Sequence, residues 1–250
     1  QGIPRHDKGQ GARATRASSD FAWLTEPRPD GTESQIKFEK WPHLVGAITE
    51  LMTQRCLVIP KARQVGWTWL LAAWVVWKTS YNKNFKVLLF SQGKDEAQDF
   101  LGKCVYIWTN LPKELKAART NNAKNALEFG DEWWIRALPS TEKAGHGTTA
   151  GIVLFDEADY HEYLDPAFAA VKPTIDDVGG QIILVSKCNP MTPQSLFKKM
   201  ARGAPENGFK CLFYPWNVRA NRTVEWYEKT RWTYADPFEF AKAYPNSLEE

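Results

Sequence analysis

The run Cys56-Leu57-Val58-Ile59-Pro60-Lys61-Ala62-Arg63-Gln64-Val65-Gly66-Trp67-Thr68 decides the fold. Its first five residues read as a short apolar strand, and Thr68 to Trp77 is apolar on nearly every face, as a helix buried against a sheet must be. Between them lies a loop that fits the phosphate-binding pattern GxxxxGK[ST] at its second glycine, Gly66, and its hydroxyl residue, Thr68. Trp67 stands where the pattern has lysine. That lysine normally sets a positive charge against the β- and γ-phosphates, so another cation is required. The loop brings its two ends close together, and its first position, ordinarily glycine, is Lys61, whose flexible stem reaches the same phosphates from the other side. Gly66 allows the tight turn, the helix start directs free N–H groups at the anion, and Thr68 would ligate magnesium. Arg63, Gln64, Val65 and Trp67 complete the candidate ATP-binding loop, with Arg63 either on a phosphate or paired at the surface. Taken alone, the pattern is equally that of a strand-to-helix turn with an incidental lysine.

A second motif lies downstream. Ile152-Val153-Leu154-Phe155 is followed by Asp156-Glu157, and an apolar parallel strand ending in two acids places them at the carboxyl edge of the sheet, where α/β proteins bind ligands. Asp156 would hold magnesium and Glu157 would orient and deprotonate an attacking water. Two acids after a strand also suit a plain helix start, but the order strand, loop, helix, then apolar strand with Asp-Glu favours the nucleotide reading. Asp159, His161, Glu162 and Asp165 read as a solvated face or as contacts to neighbours, and no HExxH zinc pattern is present.

Working outward, strands are expected at Lys86–Ser91, Trp133–Leu138, Gly151–Phe155 and Gln181–Ser186, with an amphipathic helix at Asp95–Trp108. Alternating strands and helices, with strands apolar throughout, predict an α/β fold built on a parallel sheet flanked by helices. Helical signals at Ser195–Met200 and Thr223–Trp232 are separated by Gly, Pro and Asn, so residues 205–250 read as a small lid or appended subdomain on a core of 20–204. Residues 1–19, rich in Gly, Arg and Ser, read as a flexible basic arm, either a plain terminus or one that touches DNA.

Composition narrows the class. The chain has 250 residues, of which 43% are hydrophobic and 24% charged, as in an ordinary water-soluble domain. No apolar run approaches the roughly 20 residues of a membrane span, so a soluble intracellular protein is expected. The net charge of +3 permits a local basic surface without requiring one. Cys56, Cys104, Cys188 and Cys211 form no CxxC and read as reduced thiols, and the four histidines have no metal-ligand spacing. The 12 tryptophans read mainly as packing rather than as base-stacking platforms.

These residues resemble a known family, the large subunits of phage terminases. KARQVGWT is similar to the variant Walker A of that family, some members of which carry the lysine at the front of the loop. VLLFSQGKDEAQDFL resembles the strand and helix that follow, and IRALPSTEKAGHGTTAGIVLFDEAD the run into Walker B. ILVSKCNPM resembles the coupling motif, and FYPWNVRANRTVEWYEKTR through AYPNSLEE the end of the ATPase domain. The resemblance covers about Phe38 to Glu250. It implies a P-loop core of ASCE/RecA-like type that hydrolyses ATP with Mg2+, assembles as a ring on the portal protein and drives double-stranded viral DNA into a capsid.

The implied partners also include the small terminase subunit, and the implied location is the host cytoplasm, on the procapsid. The isolated chain would be a monomer. The resemblance further assigns Ser186 and Asn189 to γ-phosphate sensing and places Phe38, Trp41 and His43 near the adenine. A neighbouring subunit's arginine finger is expected, with Arg136 preferred and Lys143 and Arg202 behind it. The family's nuclease domain has no counterpart in these residues, so DNA cleavage is not expected of this chain. Two other readings stay open: a helicase-like translocating ATPase, since Asp156 to Asp159 spells Asp-Glu-Ala-Asp, and a nucleotide-dead assembly module, since Trp67 fills the lysine slot.

Overall fold

The computed structural model describes residues 23–27, 33–37, 41–121, 123–142, 145 and 147–249. The 1–19 arm, Phe38, Lys143 and His146 lie outside the described residues. A hairpin of β1 (Trp23–Pro27) and β2 (Glu33–Lys37) comes first, followed by α1 (Pro42–Thr53), β3 (Cys56–Pro60) and α2 (Trp67–Tyr81). Then come β4 (Lys86–Ser91), α3 (Lys94–Thr109), β5 (Ala126–Gly130), β6 (Trp133–Pro139), β7 (Ile152–Asp156) and α4 (Leu164–Val178). The chain continues through β8 (Gln181–Ser186), α5 (Leu196–Arg202), β9 (Lys210–Cys211), α6 (Val224–Arg231) and α7 (Pro237–Ala243).

Seven strands form one sheet in the order β5-β6-β4-β7-β8-β3-β9. Every neighbouring pair is parallel except β5 and β6 at the edge. The expected parallel-sheet core flanked by helices is present, with one antiparallel strand added at an edge, where Asp131 and Glu132 join β5 to β6 in a hairpin. β5 escaped the sequence reading because Glu128 and two flanking glycine or asparagine residues break its apolar run. The helix α4 escaped it too, because Pro166 and Pro173 both punctuate its sequence. A proline in the first turn is tolerated, whereas Pro173 removes an internal hydrogen-bond donor that the buried face of Ala167, Val171 and Ile175 must outweigh.

Alternation along the central strands explains their continuous apolar character. Leu57, Ile59, Val87, Leu89, Leu154 and Ile183 face one cluster, with α1, α2 and α3. Val58, Leu88, Phe90, Phe155 and Leu184 face the other, with α4 and α5. Both faces are dry, so the strands are mostly apolar and a buried polar residue such as Gln181 is held by hydrogen bonds. Each fully buried large side chain contributes roughly 1.5–3 kcal/mol by removal from water.

The C-terminal residues add to the same sheet and core. β9 pairs with β3, and Trp216, Phe240, Ala243 and Tyr244 belong to the cluster that contains Trp67 and Leu44. Trp216 stacks on Tyr227 with ring centroids 4.3 Å apart. Trp67, Trp74 and Trp134 are buried as packing residues, while Trp232 is exposed. Among the described residues, no helix is long and apolar enough to cross a membrane.

Two buried polar groups generate predictions. Gln181 starts β8 and accepts a bond from Trp74 Nε1 at 3.0 Å, while its amide donates to the Leu51 and Gln54 carbonyls, both at 2.8 Å. It thereby ties α1, α2 and the sheet together, and truncation leaves several buried groups unsatisfied. Gln181→Ala is expected to lower the unfolding free energy by about 2–4 kcal/mol in urea titrations. A loss below about 0.5 kcal/mol would show the network to be dispensable.

His161 lies just beyond β7, bonds the Asp156 carbonyl through Nε2 at 2.7 Å and packs edge-on to Phe155. Burial lowers its pKa from 6.5 to about 4, outweighing the bond to Asp156 and the Glu157 charge that favour the cation. A depressed folded pKa adds stability above pH 6.5 that is lost as the pH falls through about 4. Asp156 acts in the opposite sense: burial raises its carboxyl from 3.8 to about 6, so its contribution is lost as the pH rises through that range. Comparison with His161→Gln isolates the histidine. The wild type should lose more stability than the variant between pH 6.5 and 4 in chemical denaturation, and equal losses would refute the assignment.

Candidate functional site

The phosphate loop is held from behind by its backbone. Pro60 pairs in register with Ser186, Lys61 N–H donates to the Ser186 carbonyl at 2.9 Å, and Ala62 N–H to the Tyr214 carbonyl at 2.8 Å. Arg63 N–H then donates to the Ala243 carbonyl at 2.9 Å. The chain turns through two left-handed residues, Gln64 at φ 57° and Gly66 at φ 82°, before α2 begins. Gly66 is required twice over: its φ suits glycine, and a Cβ there would lie 2.9 Å from Leu44 Cδ1 and 3.0 Å from the Trp41 ring. Helix geometry leaves the first N–H groups of α2 without intrahelical partners, facing the loop's concave side.

Two arginines from the C-terminal region secure the strained elbow. Arg222 donates to the Arg63 carbonyl at 2.9 Å and to Gln64 Oε1 at 3.3 Å, and Arg219 donates to the Gln64 carbonyl at 3.2 Å. Arg222 is buried beside the rings of Trp226 and Tyr244, at 4.9 and 5.2 Å, and among the described residues no carboxylate pairs with it. Burial, reinforced by Arg219, lowers its pKa to about 10, so it remains a cation.

The loop, Thr68, Lys103, Glu157 and Lys187 line a cavity of about 450 Å³. Trp67 fills the usual lysine slot without closing it: the indole is buried, with its ring 4.9 Å from that of Tyr214. Lys61 Nζ sits 3.4 Å from Glu157 Oε1, and Lys187 Nζ sits 3.0 Å from Glu157 Oε2. Burial favours the neutral Glu157 carboxyl, but the two ammonium groups outweigh it and hold the pKa below its usual value. Glu157 itself adopts a left-handed backbone, φ 50°. Asp156 is buried at the end of β7, and its Oδ1 has no hydrogen-bond partner.

Ser186 and Asn189 sit beside the acids. Ser186 is fully buried, accepts from Asp159 N–H at 3.2 Å and lies 3.5 Å from Glu157 Oε2. Asn189 N–H donates to Asp159 Oδ2 at 2.6 Å. Asp159 is not on a solvated face. Its carboxylate is fully buried, 2.6 Å from Lys198 Nζ and bonded to Ser195 Oγ, which ties the coupling segment to the start of α5.

The remaining sequence candidates fall elsewhere. Trp41 and His43 press on the back of the loop, His43 Nε2 lying 2.9 Å from the Val65 carbonyl oxygen, and neither lines the cavity. Arg136 lies on β6, pairs with Glu128 at 3.0 Å and stacks over Trp134 at 4.2 Å, outside the cavity. Arg202 donates to the Pro193 carbonyl at 2.9 Å, also outside it. Sequence reasoning missed Lys187, Lys103, Arg219 and Arg222. Lys187 was recoverable, since it follows an apolar strand at the ligand-binding edge; the arginines carry no local signal.

Comparison with known proteins agrees with this geometry. The sequence profile of the family described as "Terminase large subunit, T4likevirus-type, N-terminal" matches residues 58–172. No curated protein sequence matches the chain. Among solved structures, the HK97 bacteriophage large terminase superposes with a TM-score of 0.65 at 14% identity, over 96% of this chain and 55% of that one. The Thermus phage P74-26 large terminase ATPase domain superposes with a TM-score of 0.61 at 17% identity, over 77% of this chain and 88% of that one. A large terminase from a thermophilic bacteriophage, solved in complex with ADP, gives a TM-score of 0.58 at 10% identity, over 79% of this chain and 49% of that one. The chain thus spans about half the length of the HK97 protein and of the ADP-bound relative. Residues 58–172 are thus similar to the N-terminal part of terminase large subunits, and the chain shares its fold with the ATPase domains of phage large terminases.

Proposed function

We propose that this chain hydrolyses ATP with Mg2+ and that hydrolysis drives translocation of double-stranded viral DNA into a capsid. The observation that carries this reading is the convergence, in one cavity, of the loop 61–68, Thr68 and Glu157, with Lys61 3.4 Å from Glu157 and the buried Asp156 next to it in the chain. The cavity has room for a triphosphate and an excess of cations over acids. The ADP complex of the thermophilic-phage terminase supports nucleotide binding by this fold in a relative.

The residues fit magnesium. Asp156 presents a buried oxygen without a partner, and among the described residues no group of three or more His, Cys, Asp or Glu side chains forms a closed metal cage. Magnesium suits such a site, because it commonly takes one or two protein oxygens and completes its shell with phosphate oxygens and water. Asp156 and Thr68 would hold the ion, which when bound offsets charge on the β- and γ-phosphates.

Lys61 supplies the cation that the loop lacks at position 67. Arg63 through Thr68 wrap the phosphates with backbone N–H groups. Glu157 orients water and accepts its proton, and Ser186 and Asn189 transmit the state of that carboxylate to Asp159 and α5. Arg136, being half-exposed, stands as the candidate finger offered to a neighbouring subunit, with Lys143 and Arg202 as alternatives. Phe38, Trp41 and His43 are the residues that the resemblance gives to the adenine, of which Trp41 and His43 reach the loop from behind and not the cavity. The family profile supports the larger assembly: a ring on the portal, with the small terminase subunit, on the procapsid in the host cytoplasm. Residues 1–19 serve as a basic arm and 20–204 as the motor core, with 205–250 appended to it through β9 and the Trp216 to Tyr244 cluster.

The test is steady-state ATPase activity with DNA and magnesium. Lys61→Ala should reduce kcat/KM by roughly 100-fold or more, and Glu157→Gln should reduce kcat by about 10²–10⁴ while nucleotide binding persists. Normal hydrolysis by Glu157→Gln would remove it as the base. A wild type that binds no nucleotide would favour the assembly-module reading, and DNA strand separation would favour the helicase-like one.

A further inference from the structure

Glu157 is engaged by more positive charge than its neutralisation requires. One ammonium balances one carboxylate, yet Lys61 approaches Oε1 at 3.4 Å and Lys187 approaches Oε2 at 3.0 Å. Lys187 is the first residue beyond β8, its side chain is mostly buried, and it lines the same cavity as Thr68 and the phosphate loop. Its Nζ also lies 3.9 Å from the Tyr160 ring centroid, a contact that keeps the ammonium at the cavity wall without fixing it to one acceptor. The position where phosphate loops carry lysine is filled by Trp67, whose indole is packed against Tyr214. The loop itself therefore brings one lysine, Lys61, and the end of the neighbouring strand β8 brings Lys187.

We infer that Lys187 is a triphosphate-binding residue that rests on Glu157 until the γ-phosphate draws it away. This rests on the ATPase reading above. A triphosphate carries several negative charges against one on Glu157, so it competes effectively for a flexible, solvent-adjacent ammonium. With an ammonium on each carboxylate oxygen, Glu157 is a poorer proton acceptor than one with a single cation beside it. Transfer of Lys187 to the γ-phosphate removes one of those cations from Oε2, so that the group that recognises a triphosphate also strengthens the base. ADP has no γ-phosphate and leaves Lys187 on the carboxylate. The device makes triphosphate recognition and base activation one event, and it uses a residue at the end of β8 rather than on the loop.

The test is calorimetric binding of ATPγS and ADP, with magnesium, to the wild-type chain, Lys187→Met, Lys187→Arg, Glu157→Gln and the Lys187→Met/Glu157→Gln pair, with thermal melts to confirm folding. Lys187→Met should weaken ATPγS at least about tenfold and change ADP less than about twofold, with Lys187→Arg restoring most of the difference. The penalty on ATPγS should persist in the Glu157→Gln background, because the lysine then contacts the phosphate directly. If it vanishes there, Lys187 merely screens the carboxylate and the inference fails. Equal weakening of ADP and ATPγS, or no change in either, also overturns it while leaving the ATPase reading intact. Absence of nucleotide binding by the wild type overturns both.

Discussion

Three neighbouring parallel strands end at one edge of the sheet, β3 and β8 level and β7 one residue short, and the site depends on that alignment. Pro60 of β3 lies opposite Ser186 of β8, and Asp156 of β7 lies opposite Val185. Because the three chains run in the same direction, each delivers its next residue to the same edge of the sheet. Lys61, Glu157 and Lys187 are those next residues. A one-residue slip in any strand would exchange its side chains between the two buried clusters and misplace the residue at its end, so core packing and site geometry enforce the same register.

The edge gathers charge that the interior cannot tolerate. The strands are apolar along their middles, and polar groups appear at their ends, as at Ser91, Asp156 and Ser186. Asp156 stands at that boundary, buried enough for its carboxyl to be raised to about 6, while Glu157, one residue on, is held ionised by two lysines. Two adjacent carboxyl groups thus have opposite tendencies, set by burial for one and by ammonium contacts for the other. Behind the loop, Arg222 occupies a cage of aromatic rings and loop acceptors, so the left-handed elbow at Gln64 is stabilised by residues more than 150 positions away.

Much of the fold was legible because it depends on local pattern. Apolar runs at 56–60, 86–91, 152–155 and 181–186 became central strands, since two-sided burial demands side chains of that kind at every position. The antiparallel edge strand β5 was not legible: its pairing with β6 needs few apolar residues and is fixed by a hairpin. Helix α4 was hidden by its prolines, whose unfavourable local preference is overruled by packing against β7 and β8. The Asp159 carboxylate, which looked like part of a solvated face, is buried because Lys198 and Ser195 close over it from α5.

The sequence alone determined the strand-loop-helix unit, the acid pair and their order along the chain, because these follow from residue type and spacing over a few positions. Tertiary structure decided which cations meet the acids. Lys61 and Glu157 are 96 positions apart and Arg222 and Gln64 are 158 apart, and no spacing rule connects them. Strand order and register bring the first pair together, and closure of the C-terminal aromatic cluster brings the second. Trp67 shows the division clearly. In the sequence it is a lysine lost from the loop, and in the folded chain it is an indole buried against Tyr214, with ammonium groups supplied to the cavity from two other strand ends.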